Sequence, residues 1–164
     1  MLTAARAGTL CAILLASFFA TGRAQAATST STIAVSATVP ALCSVTASAL
    51  AFGSYTASVT DATASVSVTC TNGTTYTIAL DAGTGAGATT SARLMSGPAG
   101  ATLAYNLYRD AARSLPWGNT IGTDVQSGTG NGTAQALTVY GRIPAAQYPT
   151  AGTYTDTVTV TVTY

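Results

Sequence analysis

The side chains that could carry out chemistry in this sequence are few. Its charged residues are six arginines and five aspartates, and it contains no His, Lys or Glu. General acid–base catalysis would therefore depend on aspartate alone. The five candidates are Asp61, Asp81, Asp110, Asp124 and Asp156. Four of them stand in contexts typical of turns and strand ends, where Asp caps or bends the backbone. Because no base is present to activate Ser or Thr, the sequence predicts no catalytic residue and no enzyme.

Cofactor-binding and metal-binding sites are not predicted either. The glycine-rich stretch at residues 83–87 lacks the Gly-Lys-Ser/Thr ending and the following helix of a phosphate-binding loop, so we interpret it as the end of a hairpin. Trp117 could stack on a sugar, but a single Trp between strands more often covers a core. Without His or Glu, a metal site would need Cys and Asp alone, which is an unusual ligand set.

The N-terminal residues have the pattern of a secretory signal peptide. Arg6 precedes an apolar run at residues 10–20, and an Ala-x-Ala cleavage site follows at Ala24 and Ala26. The run is shorter than the roughly 20 apolar residues that a membrane span needs. We therefore expect a signal peptide at residues 1–26 and export of residues 27–164, with no membrane span in the exported part.

The exported part has little charge and one pair of cysteines. Four arginines stand against five aspartates, a net charge of −1, so no basic patch is available and nucleic acid is not an expected partner. Cys11 falls inside the signal peptide. Cys43 and Cys70 remain, and an even pair in an exported chain predicts a disulfide. A crosslink that closes a loop of this length stabilises the fold by about 3.5 kcal/mol.

Alternation of apolar and polar residues recurs along the chain, bounded by Gly, Asn and Pro, and it predicts strands. The expected strands cover residues 30–39, 43–47, 49–55, 64–70, 75–81, 101–108, 135–143 and 153–164. Asn72-Gly73, between two of them, is the strongest hairpin signal. Seven or eight short strands with few helix signals predict a single all-β domain, an immunoglobulin-like β-sandwich.

The two ends of the exported chain alternate most regularly. At the C-terminus one face carries residues that we expect to meet the core: Val158, Val160, Val162 and Tyr164. The sequence stops on this strand, although a complete sandwich usually has one more beside it. Ahead of the first expected exported cysteine, a segment has four apolar residues on one face: Ile33, Val35, Ala37 and Val39. The chain thus has either a surplus first strand and a missing last one, or a first strand that closes its own sandwich.

Seven blocks of sequence, in order, resemble a known family. They are residues 43–45 (CSV), 50–55 (LAFGSY), 66–73 (VSVTCTNG), 103–110 (LAYNLYRD), 117–118 (WG), 138–143 (TVYGRI) and 151–158 (AGTYTDTV), the last continuing to Tyr164. No single block is specific, but the ordered set covers the exported chain. It resembles the spore coat U domain family, which includes the pilins of the archaic (Csu-type) chaperone–usher pathway.

The resemblance implies an immunoglobulin-like sandwich that lacks its last strand. A periplasmic chaperone fills the gap first, and the N-terminal extension of the next subunit fills it afterwards. Residues 27–40 would then be an extension with a donor strand, and residues 41–164 the sandwich domain with its C-terminal strand at the acceptor edge. The implied partners are neighbouring subunits, the chaperone and an outer-membrane usher, and the implied location is a surface or extracellular fibre.

Two questions stay open at this point. The resemblance covers both pilus subunits and spore-coat proteins and does not choose between them. The alternative function is a monomeric secreted binding module, or an adhesin, that completes its own sandwich with residues 33–39.

Overall fold

The computed structural model of the protein describes residues 22–164, which belong to two units, Met1–Ala37 and Thr38–Tyr164. In the first unit, residues 22–37 form no helix or strand, and their side chains are exposed. The charged and apolar parts of the expected signal peptide lie outside the described residues. Within residues 22–164, no helix has the length and apolar character that crossing a membrane requires.

The second unit is a sandwich of two antiparallel sheets, as the alternation predicts. Its strands are β1 (Cys43–Ala47), β2 (Thr60–Cys70), β3 (Thr75–Leu80), β4 (Arg93–Ser96), β5 (Thr102–Tyr108), β6 (Gln126–Thr129), β7 (Gln135–Ile143) and β8 (Val160–Thr163). A five-stranded sheet has the order β1-β2-β7-β5-β4, and a three-stranded sheet has the order β6-β3-β8. The predicted all-β sandwich is confirmed.

Alternate residues of the strands fill the space between the sheets. Val66 and Val68 of β2 face Ile78 and Leu80 of β3 in one core, and all four are at most 2% exposed. Trp117, on the loop after β5, is also buried and donates its indole N–H to the Ile78 carbonyl at 2.9 Å. Trp117 is therefore a core residue, and the sugar-stacking alternative is wrong.

The disulfide is confirmed. Cys43 and Cys70 are bonded, and they stand directly opposite each other in the antiparallel register of β1 and β2. The crosslink therefore ties the outer strand of the five-stranded sheet to its neighbour at the point where the sandwich domain begins.

Several predicted strands differ from those in the structure. β4 and β6 are not predicted from the sequence, because each has only four residues and neither shows sustained alternation. Residues 49–55 and 30–39 are predicted as strands, yet neither segment forms one in the described chain. Alternation indicates which side chains share a face, but a strand also needs a neighbouring backbone to pair with.

Asn72-Gly73 does not form the predicted hairpin. β2 and β3 on either side of it lie in different sheets, so the turn is a corner of the sandwich. Only Gly73 has a positive φ, and the Thr74 N–H donates to the Thr71 carbonyl, which describes a type II turn. A two-residue hairpin of type I′ needs positive φ at both central residues.

Candidate functional site

The two sheets leave an open groove along one side of the sandwich. β1 is the outer strand of the five-stranded sheet and β8 is an outer strand of the three-stranded sheet. Among the described residues, no strand pairs with the outer edge of either, so both edges present unpaired backbone groups. β1 and β8 lie close to each other, and the gap widens beyond Ala47 and Val160.

We call the hollow in this gap the edge groove. Its volume is about 390 Å³, and its two sides are residues 47–52 and residues 154–160. The side chains that reach it from inside the sandwich are mostly apolar: Val66, Leu80, Met95, Tyr105, Leu107 and Val139. Because these side chains belong to the core, the edge groove is an opening into the core.

Glycine on the inner face of β7 makes room for one side of the edge groove. A Cβ atom on Gly141 would lie 2.8 Å from the ring of Phe52 and 2.9 Å from Leu50, so a larger residue here would displace the ends of these two side chains. Phe52 also meets Tyr105 edge-to-face, with ring centroids 6.0 Å apart. Residues 49–55 are therefore fixed by side-chain packing without belonging to a sheet.

A second hollow continues the edge groove at one end. We call it the open-end hollow; its volume is about 770 Å³, and residues 50–57 and 147–154 form its sides. Four residues line both hollows, and we call the place where the hollows adjoin the waist: Leu50, Phe52, Met95 and Tyr154. The ring of Tyr154 packs on Gly97, where a Cβ would overlap it.

The other side of the groove crosses from one sheet to the other. Thr155 exchanges two backbone hydrogen bonds, of 2.8 and 3.0 Å, with Ser96 at the end of β4. Five residues later, Val160 pairs with Leu80 of β3. Residues 156–159 lie between the two sheets, and so their backbone groups need other partners.

Asp81 provides one of these partners. Its Oδ1 accepts hydrogen bonds from the Thr159 N–H and the Gly83 N–H, both at 2.9 Å. Partial burial raises the pKa of Asp81, but the hydrogen bonds from Thr159 and Gly83 outweigh it and hold the pKa below its usual value. The carboxylate thus replaces a sheet neighbour.

Asp156 provides a second partner for the backbone of this segment, and it lies in the wall of the edge groove. Its Oδ1 accepts from the Thr157 N–H and from both the N–H and hydroxyl of Thr84, and its Oδ2 accepts from the Tyr105 hydroxyl at 2.7 Å. Partial burial raises the pKa of Asp156, but these hydrogen bonds outweigh it and the pKa is lowered. Burial, and then the hydrogen bond to Asp156, raise the pKa of Tyr105.

Arg93 is a buried charge behind this wall that the sequence does not reveal. Its side chain is fully buried, and it donates at 2.8 to 3.0 Å to four backbone carbonyls, those of Leu80, Asp81, Thr90 and Trp117. Burial lowers the pKa of Arg93. The guanidinium holds the end of β3 against the loop that carries Trp117. The one feature of the sequence that could have indicated a buried arginine is its position directly before the apolar pair Leu94-Met95.

The remaining aspartates have structural partners, as the sequence predicts. Asp61 forms ion pairs with Arg142 at 2.7 Å and Arg113 at 3.3 Å. Asp110 accepts from the backbone N–H groups of residues 114 and 115, and Asp124 from that of Thr120. Within residues 22–164, no three side chains of the metal-binding types cluster.

The predicted site residues belong to two stretches of the chain, the C-terminal strand and the N-terminal segment. Val158, Val160 and Val162 are half-buried against the core, alternating with exposed threonines, whereas Tyr164 is 55% exposed and lies at the far end of the strand. In the N-terminal segment, Ile33, Val35 and Val39 are 79% to 90% exposed, and Ala37 is exposed as well. Sequence reasoning missed Leu50, Phe52 and Tyr154 as groove residues, although it placed all three in expected strands, 49–55 and 153–164.

This architecture has counterparts among known proteins. A solved structure, the CsuC–CsuE chaperone–tip adhesion subunit pre-assembly complex from archaic chaperone–usher Csu pili of Acinetobacter baumannii, matches with a TM-score of 0.60 at 23% identity. The match covers 77% of this chain and 41% of the solved chain, so this chain spans less than half of its length. The fold is therefore similar to the chaperone–usher pilin fold, an all-β sandwich of two sheets.

Sequence comparison defines the family. Residues 29–161 match the Spore Coat Protein U domain, and the chain belongs to that family. It is 36% identical over 166 residues to Protein U of Myxococcus xanthus, and the aligned region covers 91% of this chain and 92% of that protein. The resemblance found in the sequence is confirmed. Members of this family are structural proteins and not enzymes.

Proposed function

We propose that this protein is a structural subunit of a surface fibre and that it polymerises by donor-strand exchange. The observation that carries the proposal is the edge groove: an opening of about 390 Å³ into an apolar core, lined by residues 154–158 and by Val160, the first residue of β8, whose outer edge is unpaired among the described residues. An added strand would satisfy the edge backbone groups, and its alternate side chains would fill the core.

The N-terminal extension, residues 27–40, has the chemistry of such a strand. Ile33, Val35 and Val39 alternate with small residues and are exposed. Burying each of them in the groove of a neighbouring subunit would contribute about 1.5–3 kcal/mol. Because each subunit gives one strand and receives another, assembly is head-to-tail and grows as an open fibre.

In the register that we propose, Ala37, the smallest residue of the donor face, lies at the waist of the groove. Ile33 and Val35 would fill the edge groove, Ala37 would pass the waist at Phe52 and Tyr154, and Val39 would enter the open-end hollow. The donor strand then runs antiparallel to β8, as a last strand does beside its predecessor in an immunoglobulin-like sandwich.

The partners and route follow from the same proposal. Before assembly, the open core needs a periplasmic chaperone, because an exposed apolar groove and a free edge promote aggregation. An outer-membrane usher would then pass subunits to the cell surface, after export by the signal peptide at residues 1–26. The fibre is of the kind to which the Csu complex belongs.

The test replaces the inward residues of the extension. The double variant Ile33→Asp, Val35→Asp should leave a domain that folds with its chaperone but does not enter a neighbour, because charges cannot enter the apolar groove without a partner. The matched control, Thr32→Asp with Ser36→Asp, adds the same charges to the outward face. The readout is a ladder of polymers resistant to mild detergent, together with fibres in electron micrographs.

Either of two results would contradict the proposal. The Ile33→Asp, Val35→Asp variant could polymerise as well as its control, in which case these residues are not donor residues. The wild-type protein could instead stay monomeric beside its chaperone and usher, with residues 33–39 closing its own sandwich. The second result would favour the secreted binding module or adhesin.

A further inference from the structure

The start of the sandwich domain is fixed at one end of the molecule. The Thr71 hydroxyl donates to the Pro40 carbonyl at 3.2 Å and accepts from the Leu42 N–H at 3.1 Å, and the Thr71 N–H donates to the Leu42 carbonyl at 2.9 Å. The chain therefore leaves the N-terminal extension at a set position beside the Asn72-Gly73 turn. We call this end the root pole.

The root pole has a shallow, open depression of about 490 Å³. Its walls are residues 71–75 together with Val39, Ala41 and Tyr164. Leu42 and Tyr164, which stay with this subunit when its extension is donated, are 64% and 55% exposed there. An apolar surface of this kind, beside the polar Thr71–Thr75 turn, has the character of a contact site.

The opposite end of the domain presents a single aromatic residue on a fixed loop. Tyr148 is 86% exposed and is followed by Pro149. On one side of it, the Gln147 side chain exchanges hydrogen bonds of 2.8 and 2.9 Å with the backbone of Ala104, and on the other the Thr150 carbonyl accepts from the Tyr154 hydroxyl at 2.6 Å. We call this end the open pole, because the open-end hollow lies there.

A rigid loop that exposes a tyrosine lowers the entropy cost of binding. Tyr and Trp on fixed loops are frequent energetic centres of protein interfaces, because they bury a large area and lose few rotamers. The hydrogen bonds of Gln147 and of the Thr150 carbonyl hold the loop, and none of them involves Tyr148. The side chain of Tyr148 is therefore free for a partner.

The two poles lie at opposite ends of β2. Thr60, its first residue, pairs with Ile143 beside the open-end hollow, whereas Cys70, its last, precedes the root pole. Eleven residues of strand separate them, which is about 36 Å. One subunit therefore cannot bring its own poles together, but two subunits in a row can.

We propose that, in the fibre, the Tyr148-Pro149 loop of each subunit docks on the root pole of the subunit that donates its strand. This inference rests on the proposed function. If Val39 enters the open-end hollow of the acceptor, only Pro40, Ala41 and Leu42 separate it from Cys43, and these four extended steps span about 14 Å. The donor's root pole must then lie against the acceptor's open pole, where Tyr148 projects.

The experiment places one cysteine at each pole. In the double variant Asn72→Cys, Tyr148→Cys, fibres oxidised gently should give a ladder that survives boiling in detergent and disappears on reduction. The control is Thr138→Cys, Tyr148→Cys, whose first cysteine lies on the exposed face of β7 and should give no such ladder. Asn72 occupies a turn position with an ordinary backbone conformation, so Cys is accepted there.

A second variant measures the energy of the contact. Tyr148→Ser should still assemble, because the groove is unchanged, but its polymers should dissociate in warm detergent roughly tenfold faster than wild type. Polymers that form normally, without specific Asn72–Tyr148 crosslinks and with unchanged dissociation, would overturn the pole contact alone. A wild-type protein that never polymerises would overturn the proposed function, and this inference with it.

Discussion

Tyr105 and Asp156 are joined by a hydrogen bond of 2.7 Å in the wall of the edge groove. Tyr105 belongs to β5 of the five-stranded sheet, and Asp156 belongs to the segment that crosses towards the three-stranded sheet. The bond therefore spans the opening between the sheets. It holds the crossing segment at the distance from the core that leaves the groove open.

The Asp156→Asn variant should lose the charge-assisted hydrogen bonds that the carboxylate accepts. The free energy of unfolding should fall by about 2 kcal/mol, because such bonds are stronger than those between neutral groups. Since the pKa of Asp156 is lowered by folding, its contribution is present above the unfolded value of about 3.9 and is lost as pH falls through the folded value. Urea unfolding at pH 7 and below pH 4 measures both effects. Tyr105→Phe is the control that removes the bond and keeps the charge; its acid dependence should be nearer that of wild type.

Arg93→Lys should destabilise the domain by roughly 3 kcal/mol. Lysine keeps the buried charge but cannot reach four carbonyls in the geometry of a guanidinium, so some of them lose their partner. Arg109→Lys is a comparison at a less buried arginine that bonds the Val125 and Thr123 carbonyls, and it should cost less. Equal unfolding midpoints of the two variants would contradict the assigned importance of Arg93.

Val160→Asp should prevent accumulation of the protein in the periplasm. Val160 is half-buried against the core at the start of β8, so an aspartate there would put an unpaired charge into the apolar core. Thr161→Lys, one residue later on the exposed face, should accumulate as wild type does. Immunoblots of periplasmic extracts make the comparison, and similar amounts of both variants would refute the assigned faces.

Ala37→Leu should reduce polymer formation at least tenfold. The larger side chain would meet Phe52 and Tyr154 at the waist of a neighbouring subunit, and overpacking of this kind typically costs 1–3 kcal/mol. Ala34→Leu is the same substitution on the other face of the extension and should assemble normally. The amounts of detergent-resistant polymer decide the question: if Ala37→Leu matches Ala34→Leu, the proposed register is wrong.

The sequence by itself determined the features that depend on local pattern. The period of two in residues 157–163 places threonine outside and valine inside whatever the neighbouring strand is, and the burial follows it. The Cys43–Cys70 bond follows from an even pair in a chain expected to be exported. The backbone-capping roles of Asp110 and Asp124 follow from their turn-like contexts in the sequence.

Only the tertiary structure decided which elements are neighbours. β2 and β3, which the Asn72-Gly73 turn connects, belong to different sheets. They do so because β2 pairs with β7 and β3 pairs with β8, both far away in the sequence. Arg93 is held by Trp117, and Asp156 by Tyr105, through contacts between residues 24 and 51 positions apart. The edge groove exists because residues 49–55 pack on Gly141 without joining a sheet, and packing between distant segments leaves no periodic signal in the sequence.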